Sequence, residues 1–188
     1  MAVPVLIVGA GGFGRSVMDA IDSGERFAVA GFVDDRGPDI GQVLGHAVLG
    51  RVSDLSALRH NFALVVIAIG DNARRRELSR IAKTAGFELA TVVHPKAFVS
   101  SRARLAAGAM VMAGAIVGTE AQIGESAIVN TGAVVDHHAR VGDFAHLGVG
   151  ACMGGGAVLG ALAWMQEGAV LRAGQEMAPC SVVSRLAS

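Results

Sequence analysis

The sequence predicts two linked units: a small α/β sheet over residues 1–94 and a parallel β-helix over residues 95–188. Three observations predict it. From Ala97 onward the chain divides without a gap into fifteen hexads, with an aliphatic residue or Met always third and Ala first in thirteen. Before that, apolar runs alternate with helical stretches and end in glycine or aspartate. Between the two patterns stands His94-Pro95, and a residue before proline is pushed out of the helical region.

Val3–Val8 is a continuous apolar run, as expected of a strand buried on both faces. Gly9-Ala-Gly-Gly-Phe-Gly14 follows at once, then a helical stretch from Arg15 to about Ser23 with Gly24 past its end. Phe27–Val33 reads as a second strand, closing in Asp34 and Asp35. Leu64–Ile69 is a third, ending at Gly70. Asn72–Ala85 is a helix with Gly86 beyond it, and Glu88–Val93 reads as a fourth strand. Ligands of parallel sheets bind beyond the carboxyl ends of strands. Three groups stand there: the glycines at 9, 11, 12 and 14, of which Gly11 and Gly12 let a phosphate approach the backbone and a helix N-terminus; Asp34 and Asp35, placed to take ribose hydroxyls; and Gly70-Asp71-Asn72. Together they point to a nucleotide without naming it, although tight strand–helix packing would use the same glycines. Arg74, Arg75 and Arg76 could reach phosphates, but a charge run on a helix is more often solvated surface.

A period of six is neither the 3.6 of a helix nor the 2 of a plain strand, and it marks a β-helix. Two residues per hexad point inward, one small and one large, with a corner between hexads. Three sides close a coil of eighteen residues, so fifteen hexads make about five coils, stacked ~4.8 Å apart. Residues eighteen apart are then vertical neighbours. Asp136, His137 and His138 turn a corner, with Gly154, Gly155 and Gly156 above them. Thr119 lies beneath His137, Glu120 beneath His138, and Arg102 one coil lower. A corner imidazole with an open side, and with Asp136 and Glu120 at hand, can act as a general base. His146 lies half a coil from His137, so a site using both must form between copies. The last coils are irregular, at Gln166-Glu167, at Arg172 and from Gln175 to Pro179.

The 188 residues are 52% apolar and 17% charged, with no Tyr. That is more apolar and less charged than an ordinary soluble domain, so the flat prism sides are expected to pack against other copies. The formal net charge of zero gives no electrostatic case for nucleic acid or an anionic membrane. The first apolar run breaks into glycine after six residues and has no basic region before it. It reads as a buried strand rather than a signal peptide or membrane span. Cys152 and Cys180 fall on different sides of the prism, so no disulfide is expected, and a reducing cytoplasm fits.

A short nucleotide-binding α/β unit, a His94-Pro95 hinge and a β-helix carrying Asn130-Thr131-x-x-x-Val135-Asp136-His137 resemble one family. It is the sialic-acid O-acetyltransferase-like sugar acyltransferases of the hexapeptide-repeat superfamily. The resemblance implies a left-handed β-helix, where the general rule for crossovers would give the opposite hand. It also implies a homotrimer, acetyl-CoA along the groove between adjacent β-helices, and a nucleotide-linked amino-deoxysugar held by the N-terminal unit. By motif position His137 is the general base, His146 contacts acetyl-CoA, and Gly155 lines the acyl path through its backbone. Gly11, Gly12, Asp34, Asp35 and Gly70 would hold the nucleotide-sugar, with Phe13 where the family often has histidine. His138 stands where an acid commonly follows the base, and Asp136 or Glu120 would compensate. Transfer would be direct, N-acetylation without a metal. The other readings are sugar O-acetylation, a metal-dependent hydratase of the γ-carbonic anhydrase type with His138 as third ligand, and a non-catalytic nucleotide-sugar binder.

Overall fold

A computed structural model describes residues 2–37 and 41–184. Its N-terminal unit contains β1 (Val3–Val8), α1 (Gly12–Asp22), β2 (Phe27–Val33), β3 (Gln42–Val43), β4 (His46–Gly50), α2 (Leu55–Leu58), β5 (Leu64–Ile67), α3 (Asn72–Thr84) and β6 (Glu88–Leu89). These strands form one sheet in the order β3-β4-β2-β1-β5-β6. β1 is central and pairs in parallel with β2 and β5, so the VPVLIV run, buried from Val5 onward, lies between two neighbours. The sheet is mixed rather than all parallel, because β3 runs antiparallel to β4. The two-residue turn between them has Leu44 and Gly45 both at positive φ, the geometry that suits a tight hairpin. A leucine in that position gives no turn signal in the sequence.

The strand expected over Glu88–Val93 is two strands. Glu88–Leu89 pairs with β5, whereas β7 (Val92–Val93) pairs with Met110–Val111 of the β-helix. Both halves are apolar enough to be strands, and nothing in their composition marks the change of partner. Fifteen further two-residue strands follow, one per hexad, from β8 (Phe98–Val99) to β22 (Val182–Val183). The chain is thus an α/β unit joined to a left-handed parallel β-helix. The irregular hexad at Gln175 still forms its strand, Glu176–Met177, in register on Val158–Leu159.

Pairing joins residues eighteen apart throughout, as in Ile116 to Val134 and Val134 to Cys152. Inward-facing Ala at the first position and a larger apolar residue at the third build a single core, including Ala115, Val117, Ala133, Val135, Ala151 and Met153. The sixth position of each hexad from Gly108 to Cys180 has a left-handed φ, and this single residue turns the corner.

The second position of each hexad faces outward, and it gives each side of the prism its own chemistry. One side presents Val92, Met110, Ile128, His146, Trp164 and Val182. Its first three are buried together with Val17, Met18 and Ile21 of α1, which seats the N-terminal unit. The second side presents Phe98, Ile116, Val134, Cys152 and Val170, with Phe98 and Val170 each 62% exposed. The third is largely polar: Arg104, Gln122, Arg140, Val158 and Glu176. Among the described residues no helix is long and apolar enough to cross a membrane.

The inner alanines leave no spare volume. Ala139 is fully buried in the prism core, and forcing extra methylenes into a packed core costs about 1–3 kcal/mol. Ala139→Ile is expected to lower stability by that amount, read as a drop in the urea midpoint at unchanged m-value.

Candidate active site

Two groups of candidate residues lie apart on the chain. The first is the corner between the apolar and polar sides. Asp136, His137 and His138 follow the strand Val134–Val135 there, and all three are exposed. Asp136 Oδ1 accepts the His137 backbone N–H at 2.7 Å, and Asp136 Oδ2 stands 3.8 Å from His137 Nε2. His137 Nδ1 and His138 Nδ1 are 3.0 Å apart, and His138 Nε2 lies 3.1 Å from Glu120 Oε2 in the coil below. Above, the His137 ring lies against Gly155. A Cβ on that glycine would stand 2.5 Å from His137 Cε1 and 2.7 Å from Nε2. Glycine is therefore required for the ring to adopt this position. No Arg102–Glu120 ion pair occurs among the described residues; Glu120 turns upward to His138 instead.

The second group is the carboxyl edge of the N-terminal sheet. In the order β4-β2-β1-β5 the chain leaves β1 toward β2 on one side and reaches β5 on the other. A crevice opens at such a switch point, between Gly9–Gly12 and Gly70. A Cβ at Gly11, Gly12 or Gly70 would meet nothing within 4 Å, so all three present open backbone. Gly14 is a packing glycine, since a Cβ there would collide with the Gly9 carbonyl. The N-terminus of α1 has no side-chain cap and no acid in its first turn, which leaves its N–H groups free for an anion.

Asp34 and Asp35 are already engaged. Asp34 accepts from the Ala10 N–H at 2.8 Å and from the Arg36 guanidinium at 2.9 and 3.0 Å. Arg36 above all, with the Ala10 N–H, holds the Asp34 carboxyl down at about 2 against the opposing effect of burial. Its role in the free protein is to tie the end of β2 to the glycine loop. Asp35 accepts from Arg74 Nη2 at 2.7 Å and from the Val52 N–H at 3.3 Å.

Beneath this crevice, on the docked side of the same chain's prism, stands His146. Its ring is 6.3 Å from that of Phe13, and its Nε2 is 3.3 Å from Asn130 Nδ2. Asn130 Oδ1 accepts the Thr131 N–H, so the amide NH₂ faces the imidazole and Nε2 is the acceptor. Burial, and then the Arg75 charge, push the His146 pKa down to about 4, against a Gly70 backbone hydrogen bond and Glu167. A cavity of about 600 Å³ adjoins it, with Gly70, Asn72, Arg76, Trp164 and Val182 among its walls. Within one chain His137 and His146 therefore belong to different places, one exposed at a corner and one under the crevice.

Arg75 departs from the expectation of a solvated charge run. It is fully buried. Nε donates to Ser126 O at 2.8 Å, Nη1 to Ile69 O at 2.8 Å and Gly70 O at 3.1 Å, and Nη2 to Asn72 Oδ1 and Phe144 O, both at 2.7 Å. All five donors are matched, and desolvation lowers its pKa to about 10. Asn72 Nδ2 donates to Leu162 O and Ala163 O. Together the two side chains fasten the end of β5 to successive corners of the prism. The available signal was helical spacing: Arg75 shares a face with buried Leu78, Ser79 and Ala82. Asn72, read as part of a strand-end group, and Asn130, read as part of the motif, act here by holding Arg75 and by facing His146. Among the described residues no three His, Cys, Asp or Glu side chains converge to hold a metal.

The PglD N-terminal domain family matches residues 4–82. A point mutant of perosamine N-acetyltransferase from Caulobacter crescentus, solved with CoA and GDP-perosamine, superposes with a TM-score of 0.91 at 36% identity; the match covers 96% of this chain and 85% of that one. The acetyltransferase domain of PglB from Neisseria gonorrhoeae, with acetyl coenzyme A, gives 0.80 at 28% identity over 96% and 98% of the two chains. WeeI from Acinetobacter baumannii shares the fold, with a TM-score of 0.70 at 20% identity over 93% and 96%. No curated protein matches the chain.

Two outcomes follow from the buried pair. An unfolded histidine binds a proton below about 6.5, whereas folded His146 stays neutral down to about 4. Its contribution is therefore complete above pH 6.5 and lost as pH falls toward 4, amounting to about 3 kcal/mol at most. Urea denaturation from pH 7 to 4 is expected to show a steeper loss for the wild type than for His146→Asn. Arg75→Met leaves five carbonyl acceptors facing an apolar chain. It is expected to cost about 3 kcal/mol in the same measurement and to raise the His146 pKa seen by NMR.

Proposed function

Because the chain belongs to the sugar acetyltransferases of the hexapeptide-repeat superfamily, we propose that it moves the acetyl group of acetyl-CoA onto the amine of a nucleotide-linked amino-deoxysugar. The observation that carries this reading is the His137 ring laid on Gly155 at an exposed corner, with a nucleotide-sized crevice elsewhere on the chain. The Caulobacter relative, which binds CoA and GDP-perosamine, supports an amine over a hydroxyl acceptor.

Residues 1–94 hold the nucleotide-sugar. Gly11, Gly12 and Gly70 let it lie against backbone, Phe13 flanks it, and Asp34 and Asp35 meet it at the end of β2. Residues 95–188 supply the acetyl side, with Gly155 along the acyl path and His146 toward the acetyl-CoA end that reaches the crevice. The distance between His137 and the crevice within a chain favours a site shared by copies. The exposed Phe98, Ile116 and Val170 are an apolar side of the kind that packs against a second copy, and a homotrimer fits. Two free cysteines suit a reducing cytoplasm.

In the reaction the sugar amine attacks the thioester carbonyl while His137 Nε2 takes the N–H proton. A backbone N–H stabilises the developing oxyanion. The tetrahedral intermediate then expels the CoA thiolate, which takes up the proton from His137. Positioned acid–base catalysis contributes about 10²–10⁴-fold. His137→Ala is expected to lower kcat within that range for GDP-perosamine and acetyl-CoA, while sedimentation shows an unchanged assembly. Full activity in the variant, or no acetylated product from any of a panel of UDP-, GDP- and dTDP-linked amino sugars with wild type, overturns the proposal.

A further inference from the structure

The His137 corner carries a second histidine where the family resemblance expects an acid, and the geometry gives it a task. We propose that His138, backed by Glu120, is a positioning residue that keeps the His137 proton on Nδ1 and so leaves Nε2 as the base; this rests on the acetyltransferase reading. The two Nδ1 atoms are 3.0 Å apart, so one must donate and the other accept. Which one is decided a coil below. His138 Nε2 lies 3.1 Å from Glu120 Oε2, and a carboxylate charge that close favours the His138 tautomer with its N–H on Nε2. In an uncharged ring His138 Nδ1 is then a lone pair and accepts from His137 Nδ1–H. The remaining nitrogen of His137, Nε2, is unprotonated and lies on the Gly155 side.

The opposite arrangement places a second proton on His138. Arg102, Arg104 and Arg140 line the same groove as Glu120, Gln122 and His138. That groove already holds three positive guanidiniums. Asp136, 3.8 Å from His137 Nε2, is beyond hydrogen-bond range of the lone pair, yet near enough to stabilise the imidazolium once the amine proton has arrived.

Backbone conformation supports the same assignment. Glu120 and His138 both occupy the left-handed corner position, at φ 60° and 59°, where glycine fits without strain. Seven of the thirteen such corners carry glycine and six do not, with Ser126, Phe144, Leu162 and Cys180 forming another stacked column; at Glu120 and His138 the two stacked side chains come within 3.1 Å of each other. During attack the amine N–H proton passes to His137 Nε2 and the Nδ1 proton stays in the His138 hydrogen bond. The charge is thus spread toward Glu120, with no proton gained or lost by His138 or Glu120.

The test combines kinetics with ¹⁵N NMR of the full-length protein. His137 is expected to show a protonated Nδ1 and an unprotonated Nε2, and His138→Ala to shift it toward the Nε2–H form. His138→Ala should lower kcat about 10- to 100-fold for GDP-perosamine, with both KM values near wild type, since only proton handling is impaired. His138→Asp, which tolerates a left-handed φ and accepts from His137 directly, should restore kcat to within about threefold. Glu120→Gln should slow the wild type but not the His138→Asp background, the non-additivity expected of coupled groups. Wild-type kcat in His138→Ala, an Nε2–H His137 in the wild type, or equal Glu120→Gln effects in both backgrounds overturns the assignment. If no nucleotide amino sugar is acetylated, the functional reading fails while the tautomer spectra still decide the role of His138.

Discussion

Backbone hydrogen bonds between successive coils hold the prism at one strand spacing, about 4.8 Å, and every side chain on it inherits that spacing. An eighteen-residue step in sequence becomes a single vertical step in space, as the pairing of Val134 with Cys152 demonstrates. The core enforces the step: an alanine and one larger apolar residue per hexad close each side, and a slip of one residue would turn Arg140 inward and Val141 out. The contact of His137 with Gly155 and of His138 with Glu120 are both consequences of this register, since neither pair is adjacent in the chain.

The same register divides labour among the three sides. Outward residues of one side recur every third hexad, so a column can be apolar, polar or mixed without disturbing the others. Val92, Met110 and Ile128 make the lower part of one column a seat for α1. Higher in that column His146 and Trp164 leave the seat and border the crevice cavity. The change from packing to recognition occurs at the height where the strands of the N-terminal sheet end, because that sheet stands on the column with its carboxyl edge directed up the prism. Arg75 and Asn72 fix this height, bonding to carbonyls at residues 126, 144, 162 and 163. A lysine could not replace Arg75, because a single ammonium has too few donors for acceptors lying in one plane.

Most of the fold was legible because it depends on local period. The hexads, the buried β1 and β5 runs, the two long helices and the His137–Gly155 contact can all be read by counting. What escaped depends on partners far along the chain. The division of Glu88–Val93 between two sheets turns on which strand each half meets, and no turn residue stands between the halves to mark it. The β3–β4 hairpin is built on a leucine at positive φ, which composition disfavours. Arg75 looked like one of three surface charges, and only the carbonyls of distant corners make its burial tolerable. Asp34 was readable as an acid at a strand end, but its capture by Ala10 and Arg36 depends on how closely β2 approaches the glycine loop.

The role proposed for His138 shows how a departure from a family pattern can keep a carboxylate within reach of the same corner. In a β-helix a residue has neighbours of two kinds, those beside it in sequence and those a coil away, and a carboxylate can reach the His137 corner from either direction. An acid next in the chain would bond His137 directly. A histidine in that place carries the interaction one ring further, to Glu120 in the coil beneath. Imidazole can do this because its two nitrogens lie on opposite sides of the ring, one accepting while the other donates; an amide or hydroxyl offers no comparable fixed span. The cost is two left-handed, non-glycine corners stacked on one another. Such a pair persists where the surrounding structure over-determines it, and here the regular coils above and below supply that constraint.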